Sequence, residues 1–143
     1  MLRNATRADR PEVETVLASL KLPIEGIGDW LEGFWLAEHD GSIVGLAGIE
    51  LYSDGALLRS VAVLPGWQGS GVGKIVVNQA LDTARRAGCR EVFLLTTTAE
   101  RYFPRLGFTP ISREQVPPGV QQSVEFRGAC PASAVVMRRL LTQ

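Results

Sequence analysis

Residues 65–74 read PGWQGSGVGK, with Gly69, Gly71 and Gly73 at alternate positions running into Lys74. Alternate glycines free the backbone for tight turns and close ligand approach, and a helix that starts at their end offers unpaired amides to an anion. A phosphate group is what such a loop is suited to hold. Upstream, ALLRSVAVL has the branched, apolar character of a strand. Downstream, Ile75, Val76, Ala80, Leu81, Ala84 and Ala87 mark one helix face, closed by Arg85-Arg86 in the last turn and Gly88 as cap. EVFLLTTT then predicts a second strand, parallel to the first if the crossover takes the usual right-handed route.

Outward from this unit, Thr6, Asp9 and Pro11 predict a helix start, and Val13, Val16, Leu17 and Leu20 recur at helical spacing up to Leu22-Pro23. LPIEGIGDW, residues 22–30, predicts an irregular loop or short broken helix. FWLAEHDGSIVGLAGIEL predicts a hairpin turning at Asp40-Gly41, and Ser53-Asp54-Gly55 marks a second turn, so that a three-strand meander feeds the glycine loop. AERYFPRLGF predicts a short helix ending at Gly107, ISREQVPPGVQQSVEF a polar connection, and PASAVVMRRL a final strand. The pattern is a mixed α/β (α+β) fold with antiparallel strands first and one βαβ unit at its centre. At 143 residues it is expected to be one domain, 1–143.

Composition narrows the partners. Lysine plus arginine number 15 and aspartate plus glutamate number 15, which leaves no basic footprint for nucleic acid or an anionic membrane surface. The partners expected are small molecules. Cys89 and Cys130 lack paired spacing and form no familiar zinc set with His39, so both are read as reduced core thiols and no metal is expected. The N-terminal MLRNATRADR lacks a signal-peptide core and no apolar run reaches the length of a bilayer span, which makes the cytoplasm the default location.

Two phosphate-binding patterns fail on PGWQGSGVGK. A Walker A loop requires glycine where Gln68 stands and Ser or Thr where Ile75 stands, because a hydroxyl there holds magnesium. A dinucleotide fingerprint counted from Gly69 puts Lys74 at the position of its last glycine. The sequence instead resembles the GCN5-related N-acetyltransferases over nearly its whole length. Their acyl-CoA loop, Arg or Gln, two residues, Gly, one residue, Gly or Ala, is matched by Gln68, Gly71 and Gly73; Val61-Ala62-Val63 and Pro65 precede it at the family's interval, and Leu106-Gly107-Phe108 resembles the closing motif. The resemblance implies a GNAT fold with acetyl-CoA as cosubstrate. It implies that the amides of Gln68, Gly69, Ser70, Gly71, Val72, Gly73 and Lys74 receive the CoA pyrophosphate. The backbone of Val61, Ala62 and Val63 would pair with the pantetheine arm, one amide polarising the thioester carbonyl. The stretch LLTTTAERYFPRLGF, with Val116-Pro117 and CPASAV, is similar to small acetyltransferases of arsenic-resistance operons. Leu95-Thr96-Thr97, Tyr102-Phe103 and Gly107-Phe108 are similar to the acetyltransferase domain of N-acetylglutamate synthases. Both imply an α-amino acid or close analogue as acceptor, and dimerisation is common in the family.

Two departures bear on catalysis. The family's frequent glutamate base, six residues before Val63, is Leu57, and its general-acid tyrosine, four before Gly107, is Phe103 beside Tyr102. A thiol leaving group with a pKa of about 8.5 needs little protonation, and general acid–base help contributes roughly 10² to 10⁴ fold, so positioning and carbonyl polarisation can sustain transfer without them. Glu50 and Tyr102 are the candidate replacements, Glu50 being either a base reaching the amine or the exposed end of a strand. Arg59 either forks onto a substrate carboxylate or pairs with a surface acid. Glu25, in the irregular loop, either contacts the amine or is a solvated acid. The alternative to an acetyl-transferring enzyme is a non-catalytic acyl-CoA sensor.

Overall fold

The computed structural model describes residues 1–99 and 101–141. Its strands are β1 (Leu2–Asn4), β2 (Phe34–His39), β3 (Ser42–Tyr52), β4 (Gly55–Val63), β5 (Glu91–Thr96), β6 (Thr109–Ile111) and β7 (Val135–Leu140). The main helices are α1 (Arg10–Ser19), α2 (Ile27–Trp30), α3 (Val72–Arg86) and α4 (Pro118–Gln121). One sheet runs in the order β1-β2-β3-β4-β5-β7-β6, antiparallel at every pairing except β4 with β5. This is the mixed sheet with antiparallel early strands and a central β4–α3–β5 unit that the sequence predicts.

The turns explain the register. Asp40 and Gly41 both hold positive φ, 51° and 79°, the twist that a two-residue hairpin connection demands. The capping box of Thr6 and Asp9 starts a single 3₁₀ turn that leads into α1, with Pro11 in its first turn. Arg3 clamps that start to the sheet, 2.7 Å from Asp9 and 2.8 Å from Glu38.

α3 packs Val76, Val77, Ala80, Leu81 and Ala84 onto one face of the sheet, against Ile49, Leu58, Val92 and Leu94. On the other face, Val13 and Leu17 of α1 meet Phe34, Leu36 and Leu46. Leu57, Phe93 and Val136 are covered there by Val116 and Val120. Helix and strand periodicity thus lay apolar stripes on both faces of the sheet, and the hydrophobic effect closes the layers.

Three features depart from the expectation. The strands β1 and β6 are additional, each three residues long at an edge of the sheet. The expected helix AERYFPRLGF is a 3₁₀ turn over Phe103–Leu106, because Pro104 starts it and Gly107, at φ 89°, stops it within a turn; Glu100 lies outside the described residues. Within the stretch expected to be a polar connection, α4 forms, and Glu125–Ala129 then makes a wide π-type turn.

Candidate active site

β4 is where the sheet stops being regular. Gly48 pairs with Arg59 and Leu46 with Ala62, so Ser60 and Val61 together face Ala47, which is a β-bulge, and Ser60 takes φ 59° within it. On the opposite edge, β4 pairs with β5 at Ala56–Val92 and Leu57–Phe93 only. Beyond those pairs the two strands part, and the gap opens on both sides into cavities that share Val61, Thr98, Ala99 and Phe103 as walls.

The larger cavity, about 910 Å³, runs from Val61 and Val63 past Trp67, Gln68, Gly69, Gly71 and Gly73 to Lys74 and Arg105. Gly71 caps α3 at φ 92°, a left-handed conformation that a side chain disfavours, and Gly73 and Lys74 of the first turn of α3 line this groove. Gln68 donates its side-chain amide to the carbonyl of Val63 at 3.4 Å, and the Ser70 hydroxyl donates to the Trp67 carbonyl, which holds the loop against the strand it leaves. Tyr102 is half-buried in this groove with its hydroxyl at Gly73, and burial raises its phenol above the ordinary value. Of the positions expected to hold a CoA pyrophosphate and pantetheine, Val61, Val63, Gln68, Gly69, Gly71, Gly73 and Lys74 line this one groove, with the N-terminal end of a helix dipole beside it, whereas Ala62, buried in the core on the α1 side, Ser70 and Val72 do not line it.

The smaller cavity, about 390 Å³, is bounded by Lys21, Leu22 and Pro23, by Arg59, Ser60 and Val61, by Leu94 through Ala99, and by Glu125, Ala129, Cys130 and Pro131. Arg59 is fully buried and most of its guanidinium donors are used. Nη1 donates to Glu50 at 2.9 Å and to the Glu25 carbonyl at 2.7 Å, Nη2 to the Pro23 carbonyl at 3.3 Å, and Nε to the Ser60 hydroxyl at 3.0 Å. Glu125 lies 3.4 Å from Nε. Arg59 is thus an internal clamp between the bulge and the 21–25 loop, not an outward arginine on a surface acid. Glu50, far from being an exposed strand end, has no solvent exposure, accepts from Arg59 and from the Tyr52 hydroxyl, and lines neither cavity. The Glu25 side chain faces solvent, its carbonyl alone reaching Arg59.

Two residues of this cavity were not expected in the site from the sequence, Glu125 carrying no signal and Cys130 being read only as a core thiol. Glu125 is buried, and burial pushes its carboxyl up to about 7, with the Glu50 charge adding to the rise and Arg59 opposing it. Cys130 hydrogen-bonds to Glu125, and burial beside that carboxyl pushes its thiol up to about 12. Phe103, at the family's tyrosine position, lines both cavities and brings no proton donor to their junction. Neither cysteine is bonded to the other, and no cluster of three metal-ligating side chains occurs among the described residues.

A groove along β4 and the head of α3, with a second cavity across a splayed strand pair, is the arrangement expected of an acyl-CoA-dependent transferase. Residues 2–108 match the acetyltransferase (GNAT) family, and the chain belongs to it. It is an acetyl-CoA-dependent N-acetyltransferase. An uncharacterized N-acetyltransferase of Chlorobaculum tepidum is 29% identical over 94% of both chains. The amino-acid acetyltransferase of Mycobacterium tuberculosis is 32% identical over 78% of this chain and 69% of its own. Among solved structures, a Mycobacterium tuberculosis protein in complex with CoA superposes with a TM-score of 0.83 at 26% identity over 99% of both chains. The fold of Neisseria gonorrhoeae N-acetylglutamate synthase, complexed with CoA and N-acetyl-glutamate, superposes at 0.85 with 23% identity; this chain spans 35% of that one. No described helix is long and apolar enough to cross a membrane.

Proposed function

We propose that this chain, as a single N-acetyltransferase domain, transfers the acetyl group of acetyl-CoA to the amine of a small amino-acid-like molecule by direct attack. The observation that carries the reading is the pair of cavities meeting at Val61 and Phe103, where a thioester laid along the groove would present its carbonyl to the second cavity. A volume of about 390 Å³ suits an amino acid and is too small for a folded protein segment. Lys21, cationic at its rim and without an ion-pair partner among the described residues, suits an acceptor carboxylate.

In this reading, Gln68 through Lys74 hold the pyrophosphate, and Val61 to Val63 align the pantetheine and polarise the thioester. Tyr102 walls the groove at Gly73. Arg59 and Glu50 set the shape of the acceptor cavity, Glu50 acting through Arg59 and Glu25 through its carbonyl. The amino-acid acetyltransferase relatives support the substrate class, and the resemblance to acetyltransferases of arsenic-resistance operons adds toxic amino-acid analogues to those worth testing. The test is acetyl-CoA binding by calorimetry followed by free-CoA release with the proteinogenic amino acids, simple amines and such analogues. Release that depends on an amino-acid acceptor supports the reading; binding without release from any acceptor turns it into the sensor alternative.

A further inference from the structure

We infer that Glu125 is the acceptor-amine site of the smaller cavity, its carboxylate receiving the substrate ammonium beside Arg59 and taking its proton to free the nitrogen for attack. The inference rests on the transferase reading above. Its basis is a count of charge in a closed cluster. Two carboxylates, Glu50 and Glu125, are buried around one guanidinium, that of Arg59. Glu50 takes the short contact, 2.9 Å, and a second donor from Tyr52, while Glu125 sits farther off at 3.4 Å and, among the described residues, has only the weak Cys130 thiol besides. Glu50 therefore neutralises Arg59, and Glu125 is left as the buried carboxylate without a full counter-charge. It is also the one of the two that lines the acceptor cavity. A buried acid in that state is completed by a cation from the cavity, and a protonated amine is the cation an acetyltransferase must admit.

The groups facing Glu125 come from every side: Arg59 from β4, Glu50 and Tyr52 from β3, Glu25 from the 21–25 loop, and Cys130 from its own segment, with Arg113 beyond Cys130 and Lys21 at the rim. Their balance holds the carboxyl near neutrality, where a base both takes and returns a proton.

The proton account closes without the missing tyrosine. The ammonium gives one proton to Glu125, and the neutral nitrogen places its lone pair on the thioester carbon, forming the N–C bond. The C–S bond then breaks with its electron pair on sulfur, and the thiolate takes the second nitrogen proton. Products are the acetamide, CoA thiol and protonated Glu125, which returns its proton to solvent through the cavity mouth.

The test is the pH profile of kcat/KM for the amino acid that releases CoA fastest, in the wild type, Glu125→Gln and Glu125→Asp, with CoA affinity measured on each by calorimetry. With Glu125 as base, the wild-type profile levels off above about 7. In Glu125→Gln it climbs with unit slope to the amine's own pKa and lies roughly 10² to 10⁴ fold lower at pH 7. Glu125→Asp keeps the plateau at reduced height, and CoA affinity is unchanged in all three. Profiles of one shape in all three proteins overturn the role of Glu125 and leave the transferase reading intact. If acetyl-CoA binds but no amino acid releases CoA from the wild type, the transferase reading fails and this role with it.

Discussion

Arg59 Nη1 stands 2.9 Å from a Glu50 carboxylate oxygen with neither side chain exposed to solvent, and the same guanidinium ties down the carbonyls of Pro23 and Glu25. A charge held this way is costly to orphan. Arg59→Met leaves two buried carboxylates without their cation, and breaking a buried pair costs about 3–5 kcal/mol. Urea unfolding should show that loss in the midpoint. Loss below about 1 kcal/mol would mean that water reaches the cluster.

Stability should also depend on pH through Glu125. Its carboxyl rises from an ordinary 4.5 to about 7 on folding. Between those values the unfolded chain has released the proton and the fold retains it, so the contribution of Glu125 to stability is full below 4.5 and is lost as pH rises through 7. The loss is on the order of 3 kcal/mol over that interval, and Glu125→Gln has none of it. Asp9 and Glu38, held below the usual carboxylate range by hydrogen bonds from Arg3, act in the opposite sense but equally in both proteins. Urea titrations from pH 5 to 8 check this, since parallel curves would show that Glu125 does not titrate there.

The larger groove, proposed to hold CoA, has little spare room at the head of α3. A Cβ on Gly73 would collide with the Tyr102 hydroxyl and approach Val63 Cγ2 at 3.3 Å. Gly73→Ala should weaken CoA binding about tenfold, or about 1.4 kcal/mol, by turning Tyr102 into the groove. Removing the obstructing hydroxyl should restore most of it, so the double variant with Tyr102→Phe binds better than Gly73→Ala alone. Simple additivity in calorimetry would refute the coupling.

Cys130 lines the smaller cavity, yet its thiol is pushed up to about 12 and is protonated at neutral pH. A protonated thiol is a poor nucleophile, which disfavours an acetyl-cysteine intermediate. Initial-rate patterns with varied acetyl-CoA and acceptor should intersect, as in a ternary-complex mechanism, and Cys130→Ser should remain active. Parallel patterns would point to covalent catalysis.

The strand, glycine loop and helix along the larger groove were legible because they are contiguous: β4, the loop and α3 occupy residues 55–86. Local rules for strands, caps and turns suffice there. The acceptor half joins positions far apart in the chain, Pro23 and Glu25 with Glu50, Arg59 and Glu125, through contacts that no periodicity encodes. Glu50 and Arg59 stood out as charges within strands, but burial, not exposure, proved to be their condition. Glu125 reads as one acid in a polar, proline-bearing stretch, and only the packing of that stretch over the splayed strands gives it meaning. The edge strands β1 and β6 escaped because three residues are too few for an alternation to register.

The shared wall of Val61, Thr98, Ala99 and Phe103 separates two kinds of inheritance. On one side, β4 and α3 are strand and helix, and Leu58, Val76, Val77, Ala80, Leu81 and Ala84 tie them into the core. Across that wall, the outer boundary at 21–23, Glu125 and 129–131 comes from segments outside the sheet, so those side chains, Glu125 excepted, can be exchanged without touching β4 or α3. If the proposed division holds, descendants of one ancestor can diverge in what they acetylate without relearning how to hold CoA, and a library over 21–23 and 129–131 with Glu125 kept is the shortest route to retargeting this scaffold.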